Sequence, residues 1–537
     1  MNGWPRIVFL AMEWLWAMAG LFCFSAALLS VVHRDSAETV DAFLHKLNTR
    51  PVWRWCPVIV FGGIVPLVIC MCKTAQYFSF LLDWDTGIMG NSAWNFIHGN
   101  GWTSSVLANA SYFTVHFAFT VALFSPLLWL WEHIMALVLT EAVAVGSVIL
   151  GVYMLGRLYC RPLWGGWCLA ILALSQPLFQ GTITACLDNS LFAASFFIWG
   201  IYCWESGRYR SAAILFMLLL TTREQVPFLF LGLGFLIFAL ANNSRRRLLG
   251  GGVVAASIFA WLAEMMIVEH ARNGRTEMHQ FYWGLYKTLG GSPEQIRDTI
   301  IYQPWKFLLA LFYPYAKIWV ALLNFLSLSL LPLAAGVYLL PALVVWLPQQ
   351  LSDRLYRLEG HYASMVLGPL LWAAAIGLRR ILGRTHPSAH RFVMMGILTA
   401  SACCFFASSR FLPNSDDLIL ISWRRSAPAV LEGIPPYAKL WRDDMLTANL
   451  SMRRYIKALP HGSIREYFFA NGLFVPDRVI LSRRWMGLTQ HATRDAILLF
   501  LENRKFRRVF QDDSFIVFAN PATSGQGFEP VEWATLP

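Results

Sequence analysis

Apolar runs long enough to cross a bilayer, roughly 17–25 residues each, recur from Ile7 to Phe411. They exclude a soluble globular class for most of the chain. The candidate segments are 7–32, 55–80, 112–131, 134–156, 163–182, 189–204, 211–222, 226–241, 248–268, 308–330, 332–347, 361–378 and 392–412. Composition agrees, with 57% hydrophobic residues, 14% charged residues and a mean hydropathy of +0.50. Tryptophan (24) and tyrosine (17) are abundant, as expected where rings line both membrane–water interfaces. The expected fold is an all-α polytopic membrane protein of about 11–13 transmembrane helices, followed by a small C-terminal α/β domain.

A net charge of +12 does not argue for nucleic acid here. The densest clusters in the apolar part are Arg245-Arg246-Arg247 and Arg379, Arg380, Arg384, which sit between apolar segments. Basic loops of that kind hold cytoplasmic ends in place. By the same rule Arg34, Lys46, Arg50 and Arg54 put 33–54 inside, so segment 55–80 delivers Asp83 and Asp85 to the exterior. Arg208 and Arg210 also read as inside. Arg223-Glu224, the stretch 269–307, the loop 348–360 and the tail are then outside. One stretch stays open. Counting every segment as a span puts Asp188 inside, whereas Arg157 and Arg161 put it outside. The second reading requires 112–131 to enter and leave from one face, with Pro126 as its break, and such an element needs protein around its freed backbone.

The ten cysteines lie at or within apolar segments and none pairs with histidine at metal spacing, so neither a disulfide framework nor a zinc site is expected. The run Ile7–Val32 exceeds a signal-peptide core and reads as a retained helix. The chain thus divides into an N-terminal helix and loop (1–54), a multi-spanning domain (55–412) with a first external loop (81–111), and an extracytoplasmic tail (413–537). In the tail, Ser463–Ala470, Val479–Ser482 and Ser514–Ala519 read as strands and Thr493–Asn503 as a helix.

Charged groups at the ends of apolar segments carry the chemistry. Acids at the lip of a membrane segment are costly unless they face water, a metal or a substrate, although a lone aspartate there also caps helices. Asp83-Trp84-Asp85, with Trp94, His98 and then His116, forms the first group. Asp188-Asn189 forms the second. Arg223-Glu224-Gln225 is the third, wedged between apolar stretches so short that the pair would lie recessed below the membrane surface. The fourth runs from Asp353 through Arg354 and Arg357 to His361 and Tyr362; the fifth and weakest is Glu269-His270 with Glu277 and His279. Each has a bland reading as well: an ion pair, a hydrogen-bonded histidine or a solvated loop face. Together they offer carboxylates for a general base or metal ligand and arginine forks for phosphate oxygens.

The string from Asp83 to Gly99 (DWDTGIMGNSAWNFIHG) and the segment His116–Leu127 resemble the opening of a bacterial and archaeal family of predicted membrane proteins, domain of unknown function 2079. The resemblance continues through Asp188, Thr222–Leu236, Leu285–Pro304, Gly360–Leu371 and Leu459–Arg478. The chain departs from that pattern at Asn189-Ser190, where a Phe-His is usual, and at Arg223-Glu224-Gln225, where Lys-Glu-Asp is usual. That family is in turn similar to the glycosyltransferase C superfamily. The resemblance implies a first-loop acid, Asp85, at the reaction centre and a second acid, Asp188, in a later external loop. It favours the topology that keeps both outside.

The expected function is an inverting integral-membrane glycosyltransferase. It would move a sugar from a polyprenyl-phosphate donor to an extracytoplasmic glycan, lipid or protein acceptor at the inner membrane. Asp85 and Asp188 are the catalytic candidates and, with Mg or Mn, the metal candidates. Asp83, His116, Arg223, Glu224, Arg354, Arg357, His361 and Tyr362 are the substrate-binding candidates. The alternative is a non-enzymatic transporter or flippase of lipid-linked saccharides, since intramembrane charges mark transport paths as readily as active sites.

Overall fold

The fold is taken from a computed structural model, which describes residues 4–32, 36–50, 55–79, 81–82, 84–107, 109–272, 283–358, 360–407, 427, 430–435, 437–442, 446–459, 473–482, 486, 491–521 and 530–531. Asp83, Glu277, His279 and the expected strand Ser463–Ala470 lie outside the described residues.

The chain is an all-α polytopic membrane protein with a small C-terminal sheet region. In order, the helices are α1 Trp4–Val32, α2 Ser36–Asn48, α3 Cys56–Phe78, α4 Trp84–Ile97, α5 Thr120–Trp129, α6 Met135–Tyr159, α7 Leu163–Ser175, α8 Pro177–Thr184 and α9 Ala193–Glu205. There follow α10 Tyr209–Leu220, α11 Val226–Ala239, α12 Ser244–Arg272, α13 Pro293–Tyr302, α14 Pro304–Phe312, α15 Ala316–Leu326, α16 Gly336–Leu351, α17 Ser364–Arg384 and α18 His390–Ala407. Among the described residues, six helical stretches are long and apolar enough to cross a membrane, and the pair α14–α15, bent by 56°, makes a seventh if counted as one span. The remaining apolar segments form shorter helices: those from 211–222 and 332–347 keep the length the sequence pattern predicts, whereas those from 112–131 and 163–182 fall short of it. Prolines and polar breaks end them early: Gln176-Pro177 separates α7 from α8, and Tyr313-Pro314 separates α14 from α15.

Small residues let the helices approach. A Cβ on Gly146 of α6 would sit 2.7 Å from the Pro66 backbone of α3, and one on Gly156 would sit 2.7 Å from Gly166 of α7. Such positions are typical of membrane helix interfaces, where packing replaces the hydrophobic drive. The N-terminal helix α1 lies against α18, with Trp16 edge-on to Phe405 at 5.9 Å.

Segment 112–131 does not form a span. It breaks into a turn at Tyr112–Thr114 and the ten-residue α5, whose second half is a tighter 3-10 turn opening at Ser125-Pro126. Its backbone is held by Phe119 N donating to Thr221 O at 2.9 Å and Val121 N donating to Asn189 Oδ1 at 2.7 Å. The segment therefore enters and leaves at one end of the bundle, and the simple span count fails there. The helices that follow deliver 185–190, 221–225 and 352–362 to that same end. Residues 157–164, 331–336 and 379–390 meet at the opposite one, where Arg379 lies over the Tyr159 ring and Arg380 donates to the Ala335 carbonyl.

In the tail, five strands order as β4-β3-β6-β8-β7, with β3 Leu440–Arg442, β4 Ile456–Ala458, β6 Arg478–Ser482, β7 Arg507–Gln511 and β8 Phe515–Ala519. β3 is parallel to β4 and β6; β8 is antiparallel to β6 and β7. Helix α19, His491–Asn503, covers them, its Phe500 stacked on Trp441 at 4.9 Å. Two short antiparallel pairs, β1 Thr103–Ser104 with β2 Ala110–Ser111 and β5 Leu473–Phe474 with β9 Pro530–Val531, complete the sheets.

The tail docks on α4. A Cβ on Gly87 would fall 1.8 Å from Thr447 Cγ2, and one on Gly90 would fall 2.6 Å from Ser451 Oγ. Asn91, one turn on, donates to the carbonyls of Ser451 at 3.2 Å and Arg453 at 2.6 Å and accepts from Ser105 N at 2.8 Å. Residues three and four apart share a helix face, so Gly87, Gly90 and Asn91 form one bare stripe against which the tail closes.

Candidate functional site

Four separate stretches converge at one end of the bundle. Helix α8 ends at Thr184, and the chain runs through Ala185–Leu187 to Asp188, whose Oδ1 accepts from Ser190 N at 2.8 Å and from the Ser190 hydroxyl. Arg223 Nη1 lies 3.4 Å from the same oxygen, and its Nη2 donates to His116 Nε2 at 2.7 Å. An arginine has only donors to offer, so Nε2 must accept and the ring proton sits on Nδ1. That Nδ1 donates to Glu224 Oε1 at 2.8 Å. The Arg223 guanidinium lies over the Tyr362 ring, 4.9 Å from its centroid, and His361 packs on Tyr362 at 4.2 Å. Ser364 Oγ is 2.8 Å from the His361 carbonyl and also contacts the Ser190 carbonyl, tying the second loop to the last.

This cluster is recessed. The Arg223 side chain is 2% exposed and that of Asp188 6%. Short helices explain it: α10 has 12 residues and α11 has 14, and at ~1.5 Å per residue neither matches a hydrocarbon layer of about 30 Å. The turn between them therefore lies below the level reached by full-length spans.

Burial alone would raise the Asp188 carboxyl, but His361, Arg223 and the Ser190 hydrogen bonds hold it well below the usual carboxylate range. Glu224 is likewise opposed by burial and pulled below its ordinary value by the His116 ring and by Arg223. Burial disfavours the Arg223 charge, yet Asp188, Tyr362 and Glu224 more than compensate and drive its ionisation upward. Two atoms of the cluster, Glu224 Oε2 and Arg223 Nε, are buried with no hydrogen-bond partner among the described residues. They are the polar capacity that water or a bound ligand would fill.

Asp85 stands in the first turn of α4 and is partly exposed. Its neighbour Thr86 accepts through Oγ1 from Leu187 N at 3.0 Å, so residues adjacent to the two candidate acids are bonded to each other. Arg354 and Arg357 are exposed on the loop before His361, with Arg357 6.0 Å from the Tyr356 ring centroid. That loop is anchored by Asp353 N donating to Leu285 O at 2.8 Å and by Thr288 N donating to Asp353 Oδ2 at 3.0 Å.

Other candidates fall elsewhere. His98 is exposed and stacks on Trp94 at 4.0 Å, beside Glu132. Glu269 accepts from Arg272 Nη1 at 2.7 Å. A cavity of about 500 Å³ lined by Asn48, Trp55, Tyr153 and Arg157 shares no residue with the cluster. Among the described residues no three His, Cys, Asp or Glu side chains gather as metal ligands. Asp188 also has one oxygen committed to Ser190 and Arg223. The described donors therefore do not make a divalent-cation cage of Asp85 and Asp188.

Three residues at this end were not legible as site residues in the sequence. Gln349 is buried and donates to Tyr362 O at 3.2 Å and Gln225 Oε1 at 3.4 Å. Lys73 of α3 and Glu141 of α6 form a buried ion pair with Nζ–Oε1 at 3.1 Å. A signal for the last two existed: each is a charge inside an otherwise apolar run.

Fold and site define a multi-spanning membrane protein that gathers acids, arginine and histidine in a recess at one end of its bundle. Residues 76–516 match the family described as predicted membrane protein, domain of unknown function 2079, and the chain belongs to that family. No curated protein matches it.

Proposed function

We propose that the protein is an integral-membrane glycosyltransferase that moves a sugar from a polyprenyl-phosphate donor to an acceptor hydroxyl at the extracytoplasmic face of the cell membrane. The observation that carries this reading is the convergence of Asp85, His116, Asp188, Arg223, Glu224, His361 and Tyr362, drawn from five separate stretches of the chain, at one end of the bundle. A reaction at a lipid headgroup needs a base, phosphate-binding cations and a recess within reach of the bilayer, and this end of the molecule supplies all three.

In the proposed reaction the acceptor oxygen attacks the anomeric carbon while the bond from that carbon to the phosphate oxygen breaks, inverting the centre. The Asp85 carboxylate takes the acceptor proton. Polyprenyl phosphate departs with the bonding pair, its charge met by the exposed forks of Arg354 and Arg357. Asp188 and Glu224 act at one remove: they hold Arg223 and His116 in place, and Arg223 in turn supports the Tyr362 ring. No step is routed through a metal.

Purified protein given labelled polyprenyl-phosphate sugar and a mixture of envelope acceptors should form labelled product. Asp85→Asn should lower the rate by roughly 10²–10⁴-fold, the usual contribution of a general base. Undiminished activity in that variant would remove Asp85 from its role. Movement of intact lipid-linked sugar between leaflets of a liposome, with no new product, would identify a carrier instead.

A further inference from the structure

Two charges in this protein lie where charges are hardest to keep. Lys73 of α3 and Glu141 of α6 are both 0% exposed, each within a helix long and apolar enough to span the membrane. A buried pair seldom stabilises a fold better than apolar residues of the same volume would, and charges at membrane depth mark function more often than packing. The lysine also has a second partner. Its ammonium donates to the carbonyl of Ala185, at the end of α8, and Gln76, nearly one turn further along α3, donates to the carbonyl of Thr184 at 3.2 Å. Those carbonyls belong to the unpaired end of a helix, and the chain leaving them reaches Asp188 within a few residues. On its far side the same stretch is held by Leu187 N donating to Thr86 Oγ1.

We infer that Lys73 is a positioning residue: its ammonium, with Glu141 as counter-charge, clamps the Ala185 carbonyl and so fixes the loop that carries Asp188 beside Arg223. Glu141 is the reason a lysine is tolerated at that depth, and the Ala185 bond is the reason it is there. The inference rests on Asp188 belonging to the site, not on the reaction proposed for it.

Cys186, partly exposed and next to Ala185, is a native reporter of this loop. In a full-length chain whose other cysteines are replaced, alkylation of Cys186 by a maleimide should be slow. In K73M/E141L, where the pair is exchanged for apolar side chains, alkylation should be roughly ten- to hundredfold faster, the factor given by loss of one charge-assisted hydrogen bond, while membrane insertion and thermal unfolding stay near the parent. The swapped pair K73E/E141K keeps the ion pair but moves the cation to α6, away from Ala185, and should alkylate as fast as the apolar pair. If the apolar pair does not insert, K73M/E141Q, which keeps side chains of similar length and leaves the Ala185 carbonyl without a donor from position 73, carries the same expectation. An unchanged Cys186 rate in the folded double variant, or restoration of the slow rate by the swap, would overturn the inference. Absence of sugar transfer by the wild-type chain is a separate result, which would remove the proposed reaction and leave these rates as they are.

Discussion

Asp188 holds its neighbours in place through its carboxylate. Its Oδ1 receives Ser190 and Arg223, and these partners keep the carboxyl ionised well below the usual carboxylate range, which makes it a source of stability with a defined pH dependence. Both Asp188 and Glu224 are shifted downward. Their contribution is therefore present above the unfolded carboxylate values of about 3.9 and 4.3 and is lost as pH falls below those values through the lower folded ones. Thermal unfolding in detergent should show wild type losing stability as pH is lowered below about 4, with a shallower loss in Asp188→Asn. Parallel curves would show that Asp188 contributes no such linkage. Arg354 and Arg357 make the opposite case. Exposed and outside the buried cluster, they should matter for binding alone: Arg354→Ala with Arg357→Ala should weaken donor binding by roughly ten- to hundredfold with unfolding unchanged. Equal donor affinity in wild type and double variant would return this loop to a solvated surface.

At the scale of elements, helix α4 does two jobs on two faces. Its first turn presents Asp85 and bonds the Asp188 loop through Thr86, while the stripe of Gly87, Gly90 and Asn91 receives the tail. Alanine in place of a helical glycine ordinarily stabilises by about 1 kcal/mol. Here the sign should invert, because the new Cβ would meet Thr447 Cγ2. Gly87→Ala should loosen the tail, seen as faster hydrogen exchange in β3 and β6, and Thr447→Gly in the same chain should restore protection. Slower or unchanged exchange in Gly87→Ala would mean that the stripe does not govern docking. Segment 112–131 teaches a related point. Its hydropathy matches a span, but its backbone finds partners at Thr221 and Asn189, and so it stays at one end and carries His116 to Arg223.

Over the whole molecule, the loops that bear acids and arginines meet at one end and most of the basic connections at the other. Cysteines placed at the exposed positions Asn100, Arg354 and Tyr437 should therefore label together with an impermeant reagent in intact cells, whereas Ser206 and Asn243 should be labelled only after lysis. Labelling split between sides within the first set would dismantle the single-face site. Much of this was legible in the chain itself. The class follows from run length, because a backbone in hydrocarbon must satisfy its own hydrogen bonds. Asp85, Asp188, Arg223 and Glu224 stood out because charge beside apolar sequence is costly. In the tail the strand Arg478–Ser482 and the helix His491–Asn503 follow local pattern, whereas Leu440–Arg442 and Ile456–Ala458 do not, being three-residue strands whose pairing is supplied by distant neighbours. The sequence could not say whether 112–131 crosses, since a span and a re-entrant element have the same hydropathy and differ only in which partners their backbone meets. Nor could it pair Lys73 with Glu141 and Ala185, or give Gly87 its partner Thr447. Those contacts join residues far apart along the chain, and only the packed bundle brings them within reach.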